Sequence, residues 1–394
     1  MRRIPVLLSI LAVLLISRAQ AVELGIDVLQ KNNFDLLRGK RVGLVTNQTG
    51  VNSAGEKTRM ILKKHVNLVA LYTPEHGLDG TEKAGVEVRS RRDRLTGLLA
   101  YSLYGDTRKP TPKMLEGIDV LVYDMQDIGC RSYTYISTMG KCLEACAEQG
   151  KQFVVLDRPN PLGGNRVEGQ GIQTKWISFV GQFPIPYVHG LTVGELALMA
   201  NTKGWMGPKA DLRVVKMRGW NRSMTWPMTG LHWVPPSPNI PNELSPCYYV
   251  ISGVVGELAG GLDQALFSPR AFQVLGAHWM KPRMASYLQS KCPGINVTTA
   301  STASGPGVMF HVNPVGGGNL AACSLYTLAE CDKESHGLIF SQASKSKINL
   351  FNKVYGSDSI RHDLVKLGPD RIIASWNSNI ESFRRDRTPF LLYQ

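Results

Sequence analysis

Glu75 stands in Tyr72-Thr-Pro-Glu-His-Gly77, next to His76 and too far from a helix start to be an obvious cap. A glutamate held against a histidine is a candidate general acid, because burial raises a carboxyl pKa toward working pH. Four further stretches carry the same kinds of side chain. Asn47-Gln48-Thr49-Gly50 offers amides, and Asp124-Met125-Gln126-Asp127 is followed by Arg131, Tyr133 and Tyr135. Asp157-Arg158-Pro159-Asn160-Pro161 adds another carboxylate, a guanidinium and an amide, and His189-Gly190 a second imidazole. Carboxylates, amides, arginines, tyrosines and histidines together suit proton transfer on a polar substrate. A bland reading stands beside the chemical one. Asp and Asn after a strand often cap a helix or close an Asx turn, which applies to Asp157, Asn160 and one of Asp124 and Asp127. His189 before a glycine could equally be a satisfied turn residue.

These stretches each follow a predicted element. Strands are expected at 41–46, 67–72, 118–123, 153–156 and 212–217, and helices at 56–65, 136–149 and 193–201. A short helical turn is expected at 114–117. The strands are apolar runs rather than alternating ones, as in a parallel sheet buried on both faces by crossover helices. The predicted fold is α/β: a Rossmann-like, open, mostly parallel sheet over residues 22–246, then a smaller α+β domain over 247–394. Helical patterns at 337–350 and 360–373 belong to the latter. Ligands of open parallel sheets sit beyond the carboxyl ends of the strands, where these polar stretches fall.

The chain has 394 residues, 43% of them hydrophobic, and a formal net charge of +14. This composition suits a globular protein with substantial cores and excludes a wholly disordered or collagen-like chain. The basic balance alone does not choose among anionic partners. The cluster Arg89-Ser90-Arg91-Arg92-Asp93-Arg94 reads as a solvated loop rather than a nucleic-acid motif, so no nucleic-acid partner is expected. Residues 1–21 read as a secretory signal peptide: Arg2 and Arg3, an apolar run from Ile4 to Ile16, then Ala19-Gln20-Ala21. The run is short for a membrane span, and no cysteine follows to take a lipid anchor. An exported protein, periplasmic or secreted and without a stable membrane anchor, is expected. The seven cysteines include no CxxC pair; they read mostly as structural thiols, with a Cys323–Cys331 bridge conceivable.

Several chemistries lack their motifs. Asn47-Gln48-Thr49-Gly50 stands where a dinucleotide site needs GxGxxG, and there is no P-loop, G-x-S-x-G elbow or HExxH. No cofactor and no metal are expected. A metal-dependent hydrolase built from Asp124, Asp127, His76 and His189 is an alternative without tight ligand spacing.

Taken in order, Gly39-Lys-Arg-Val-Gly-Leu-Val-Thr-Asn-Gln-Thr-Gly50, the Pro-Glu-His-Gly stretch and Tyr101-Ser-Leu-Tyr-Gly105 resemble the NamZ-type exo-β-N-acetylmuramidases. Tyr123-Asp-Met-Gln-Asp-Ile-Gly129, Arg131-Ser-Tyr-Thr-Tyr135, Asp157-Arg-Pro-Asn-Pro161, His189-Gly190 and Pro236-Ser-Pro-Asn239 continue the match, which runs to Pro389-Phe-Leu-Leu-Tyr393. The resemblance implies release of N-acetylmuramic acid from the non-reducing ends of peptidoglycan fragments (muropeptides such as MurNAc-GlcNAc), in a cleft between the two domains. It makes Glu75 the catalytic acid, with His76 and Asp127 beside it and Asp127 or Asp124 as second carboxylate. Asn47, Asp124, Gln126, Arg131, Tyr133, Tyr135, Arg158, Asn160, His189 and Asn239 fall on its substrate cleft. Arg131 or Arg158 is the expected partner of the substrate's lactyl carboxylate, and Tyr133 and Tyr135 are expected to stack on the sugar. One departure is notable: where the family usually has Glu-Gly-Arg-Gly-Thr, this chain has Gly260-Gly-Leu-Asp-Gln-Ala-Leu-Phe-Ser268, with Glu257 and Asp263 as candidates to compensate. A muropeptide-binding protein without turnover is therefore a second expectation.

Overall fold

The computed structural model describes residues 21–394; the expected signal peptide lies, but for Ala21, outside the described residues. Seven strands form the main sheet: β1 (Arg41–Thr46), β2 (Asn67–Thr73), β3 (Arg91–Arg92), β4 (Leu99–Ser102), β5 (Val120–Asp124), β6 (Gln152–Leu156) and β7 (Leu212–Val215). They lie in the order β3-β4-β2-β1-β5-β6-β7. All pairs are parallel except β3 with β4. The continuous apolar strands are buried on both faces. In β5, Leu121 and Tyr123 join the core beneath the helices Tyr135–Glu148 and Val193–Lys203. Val120 and Val122 join the opposite core, with Ile26 and Leu29 of one helix and Ile61 and Leu62 of another. Alternate residues thus face opposite layers, as strand geometry requires. The charged segment expected as a solvated loop supplies the edge strand β3, where Arg91 pairs with Asp79.

Strand order reverses beside β1, whose neighbours are β2 and β5. That switch opens a crevice beyond the carboxyl ends of these three strands. Asn47, Glu75 and the Asp124–Asp127 loop follow them directly.

The second unit is a three-stranded antiparallel sheet, β8 (Val274–Gly276), β9 (Ile295–Thr302) and β10 (Gly305–Val312), in the order β8-β10-β9. Helices Ser245–Gly256 and Leu320–Glu334 pack on each other and continue the core of the first unit. The boundary expected after residue 246 therefore falls inside a helix rather than in a linker. The chain then returns to the first unit, where the Tyr393 hydroxyl donates to Asp157 Oδ2 at 2.6 Å. The helical pattern at 337–350 is divided between Leu338–Ser341 and Lys345–Tyr355. The last one extends to Arg387, broken at Gly368, whose φ of 72° precedes Pro369. All seven cysteines are buried free thiols. Cys323 and Cys331 share one helix, and eight residues at 1.5 Å each hold them about 12 Å apart, too far to bridge.

Candidate active site

Glu75 leaves β2 at the crevice and is 8% exposed. Its Oε1 accepts the Gly85 N–H at 2.8 Å and its Oε2 the Thr134 hydroxyl at 2.6 Å. The hydroxyl of Tyr104, from the loop after β4, lies against the same carboxylate, and burial with that negative charge raises the Tyr104 pKa. Gly85 belongs to an exposed run from Glu82 to Glu87, so a surface loop closes over the carboxylate. His76 anchors that loop. Its φ of 69° turns the backbone left-handed, and its Nδ1 lies 2.7 Å from the Glu82 carbonyl. His76 also lines a cavity with Thr73, Glu87 and Arg89.

Asp127 follows β5. Its Oδ2 accepts the Gly129 N–H at 2.7 Å, while its Oδ1 is buried without a partner. Burial pushes its pKa up to about 7, against the opposing pull of the Gly129 and Ile128 amides. Gly129 is required here: its φ is 80°, and a Cβ would meet Asn160 Oδ1 at 2.2 Å. The charges of Glu75 and Asp127 both reach Tyr133 and Tyr135, placing the two carboxyl groups around one pair of rings. The Tyr133 ring meets Tyr135 edge-on at 4.9 Å and Tyr249 at 6.0 Å, and its hydroxyl makes no hydrogen bond of proper geometry. Asn47 spends Oδ1 on the Thr49 amide and hydroxyl, while its buried Nδ2 faces the Tyr135 hydroxyl without a hydrogen bond of proper geometry. Gln126 gives its Nε2 to the Asp127 and Pro159 carbonyls and leaves Oε1 bare. Buried polar atoms normally find partners, so four orphans on the loops after β1 and β5 mark a surface built for a ligand.

Other expected site residues are spent on structure. Tyr135 is fully buried and gives its hydroxyl to the Pro236 carbonyl, so it frames the site and does not stack on a sugar. Asp124 accepts Arg158 Nε and the Thr58 hydroxyl. Arg158 also donates to the Val51 carbonyl, and it lines a small cavity with Gln126, Trp226 and His232. Arg131 is fully buried with its guanidinium on four carbonyls, of Gln170, Ile185, Val354 and Tyr355. It ties the two units together and has no terminal N–H free for a substrate carboxylate. Asn160 bridges the Leu191 carbonyl and the Leu162 amide. His189 accepts the Leu191 N–H at Nδ1 but leaves Nε2 buried and unpartnered; burial, Arg387 and Arg131 lower its pKa to about 3, so the ring is neutral. Asp157 is held by Thr192, Gly194 and Tyr393, with burial raising its pKa to about 6. The quartet Asp124, Asp127, His76 and His189 does not converge, and among the described residues no group of three His, Cys, Asp or Glu could hold a metal.

Asn239 accepts the Phe267 N–H at 2.6 Å, so the departing loop packs onto the Ser-Pro-Asn motif. Ala265 and Phe267 both have left-handed φ, and the Phe267 ring is 61% exposed. Asp263 caps the Ala265 amide, and Glu257 is half-buried near Lys347; neither replaces a guanidinium. Thr134, Gly85 and Tyr104 were not among the expected site residues. Thr134 and Tyr104 lie inside recognised motifs, whereas Gly85 has no local signal, since its role depends on how the loop folds back.

Comparison with known proteins agrees across the length of the chain. The profile described as "Exo-beta-N-acetylmuramidase NamZ, N-terminal" matches residues 42–244, and its C-terminal counterpart matches 262–393. "Peptidoglycan beta-N-acetylmuramidase NamZ" of Bacillus subtilis (strain 168) is 36% identical over 386 residues, covering 94% of this chain and 91% of that one. A crystal structure of a DUF1343 family protein from Bacteroides fragilis NCTC 9343 superposes with a TM-score of 0.87 at 42% identity, covering 95% of this chain and 99% of that one. A second such protein from that organism gives 0.69 at 28% identity, with the same coverage.

Proposed function

As this chain belongs to the NamZ family of exo-β-N-acetylmuramidases, we propose that it hydrolyses the β-glycosidic bond of N-acetylmuramic acid at the non-reducing ends of peptidoglycan fragments. The observation that carries this reading is the enclosure of Glu75 at the strand-order switch, beside a second carboxyl group and four orphan polar atoms.

Glycoside cleavage needs a proton for the leaving oxygen and a group that stabilises the oxocarbenium-like transition state. Glu75 donates the proton. The Thr134 hydroxyl, a donor to the ionised carboxylate, rotates to accept when Glu75 is protonated, so the side chain keeps its place through the cycle. With Asp124 committed to Arg158, Asp127 is the second carboxyl group. Its bare Oδ1 accepts the acetamide N–H of the substrate and turns the acetamide oxygen toward the anomeric carbon, as in substrate-assisted hydrolysis. The Tyr133 hydroxyl and Asn47 Nδ2 supply further hydrogen bonds to the sugar.

Export is part of the proposal. The leader ending at Ala21 delivers the protein to the wall, where its positive charge suits a polyanionic substrate. Sequencing the N-terminus of the exported protein checks this and should begin at Val22.

The activity test is incubation of the protein with MurNAc-GlcNAc. Release of both monosaccharides supports the proposal. Binding of the disaccharide without release would instead identify a muropeptide-binding protein, the reading favoured by the altered 260–268 loop.

A further inference from the structure

Arg108 has no hydrogen bond or ion pair among the described residues, and its Nη1 is buried without a partner. The guanidinium sits over the Tyr104 ring, with Cζ 3.5 Å from the centroid, and 5.5 Å from the Phe179 centroid. Two aromatic rings therefore hold the guanidinium in place while its N–H groups stay uncommitted, which suits a bidentate anion binder. The fully buried arginines differ: Arg59, Arg131, Arg158, Arg222 and Arg387 each donate from at least one terminal nitrogen to a carbonyl or carboxylate.

The position of Arg108 gives that spare donor edge its meaning. The hydroxyl of Tyr104 meets the Glu75 carboxylate, so the guanidinium stands one tyrosine ring away from the proposed proton donor. N-acetylmuramic acid differs from N-acetylglucosamine by a lactyl ether on C3, which puts a carboxylate on the same ring as the scissile bond. Bringing that anion beside Glu75 and Asp127 is unfavourable unless a cation receives it. Neither arginine singled out from the sequence has the freedom to do so.

We propose that Arg108, clamped by Tyr104 and Phe179, binds the lactyl carboxylate bidentately and thereby selects muramic acid over glucosamine. This rests on the reading of Glu75 as the centre of a muramidase site.

The test uses the full mature chain and its Arg108→Gln and Arg108→Lys variants, with melting temperatures confirming that each is folded. Two quantities are measured: kcat/KM on matched chromogenic β-N-acetylmuramide and β-N-acetylglucosaminide, and calorimetric affinity for the two free sugars. In Arg108→Gln, selectivity for the muramide should fall by about 10²-fold, chiefly through KM, with affinity for N-acetylglucosamine unchanged. Arg108→Lys should recover part of the loss, because it restores the charge without the fork. An unchanged selectivity ratio, or an equal loss for both sugars, overturns the assignment. If the unmodified protein hydrolyses neither sugar, the muramidase reading has failed and affinity decides the role of Arg108. N-acetylmuramic acid binding weakened by Arg108→Gln then upholds the assignment, and equal binding overturns it.

Discussion

Two stretches of the sheet's carboxyl edge look alike in sequence and differ in what their atoms have left to do. Asp157-Arg158-Pro159-Asn160-Pro161, with His189, carries two ionisable groups, an amide and an imidazole. In the fold Asp157 is saturated by Thr192, Gly194 and Tyr393, Asn160 by Leu162 and Leu191, and Arg158 is paired with Asp124; His189 Nε2 alone is left buried without a partner. The edge formed by Glu75, Asn47, Gln126, Asp127 and Tyr133 is just as buried, yet four of its polar atoms lack a hydrogen bond of proper geometry. Burial of polar residues does not by itself distinguish a site from a scaffold. A concentration of unfinished hydrogen bonds on neighbouring loops does, because each unpartnered buried atom is a cost that one ligand can relieve.

Substitutions on the two edges sharpen this contrast. Glu75→Gln should lower kcat on MurNAc-GlcNAc by about 10²–10⁴-fold, the usual worth of a positioned general acid, with little change in melting temperature. Arg131→Met should do the reverse. Stranding four buried carbonyls between the two units should cost about 3 kcal/mol or more in chemical denaturation, with activity per folded molecule retained.

Asp127 gives a prediction signed by pH. Its folded pKa of about 7 lies above the usual 3.8, so between those values the folded protein binds more protons than the unfolded chain. Stability therefore falls as pH rises from about 4 to 7, and stays lowered above that. Asp127→Asn removes the effect and should be more stable than the unmodified protein by roughly 1–4 kcal/mol at pH 8, an advantage that disappears near pH 4. As the carboxylate is the form that accepts the acetamide, kcat/KM of the unmodified protein should rise through pH 7. The Asn variant should be poorly active and lack that limb. Tyr135→Phe is the mildest of these changes. It should cost about 1 kcal/mol or less, because the Pro236 carbonyl loses the Tyr135 hydroxyl but keeps the Gln48 Nε2 donor, with a small rise in KM.

The sequence made the scaffold more legible than the chemistry. Residues 41–46 form a strand with the bounds expected, because a continuous apolar run at strand length has few alternatives in a buried parallel sheet. The pair Arg91-Arg92 escaped as a strand, because nothing apolar marks a two-residue charged edge whose pairing with β4 is non-local. Gly368-Pro369 hid inside a helical period, and the merged pattern ran through a left-handed break. At the site, residue types identified the right loops. They could not show that Arg131 is consumed by carbonyls of Val354 and Tyr355, more than 200 positions away, or that Arg108 has none. Hydrogen-bond saturation is a property of tertiary contacts, and no local pattern encodes it.

The most direct test of the central claim compares unmodified protein and Glu75→Gln across N-acetylmuramides whose leaving groups differ in acidity. If Glu75 supplies the proton, the loss in kcat should be large for a sugar leaving group and shrink sharply for dinitrophenolate, which departs without protonation. An equal loss for both leaving groups would contradict a proton-donating role for Glu75, and full activity in the variant would remove it from the reaction.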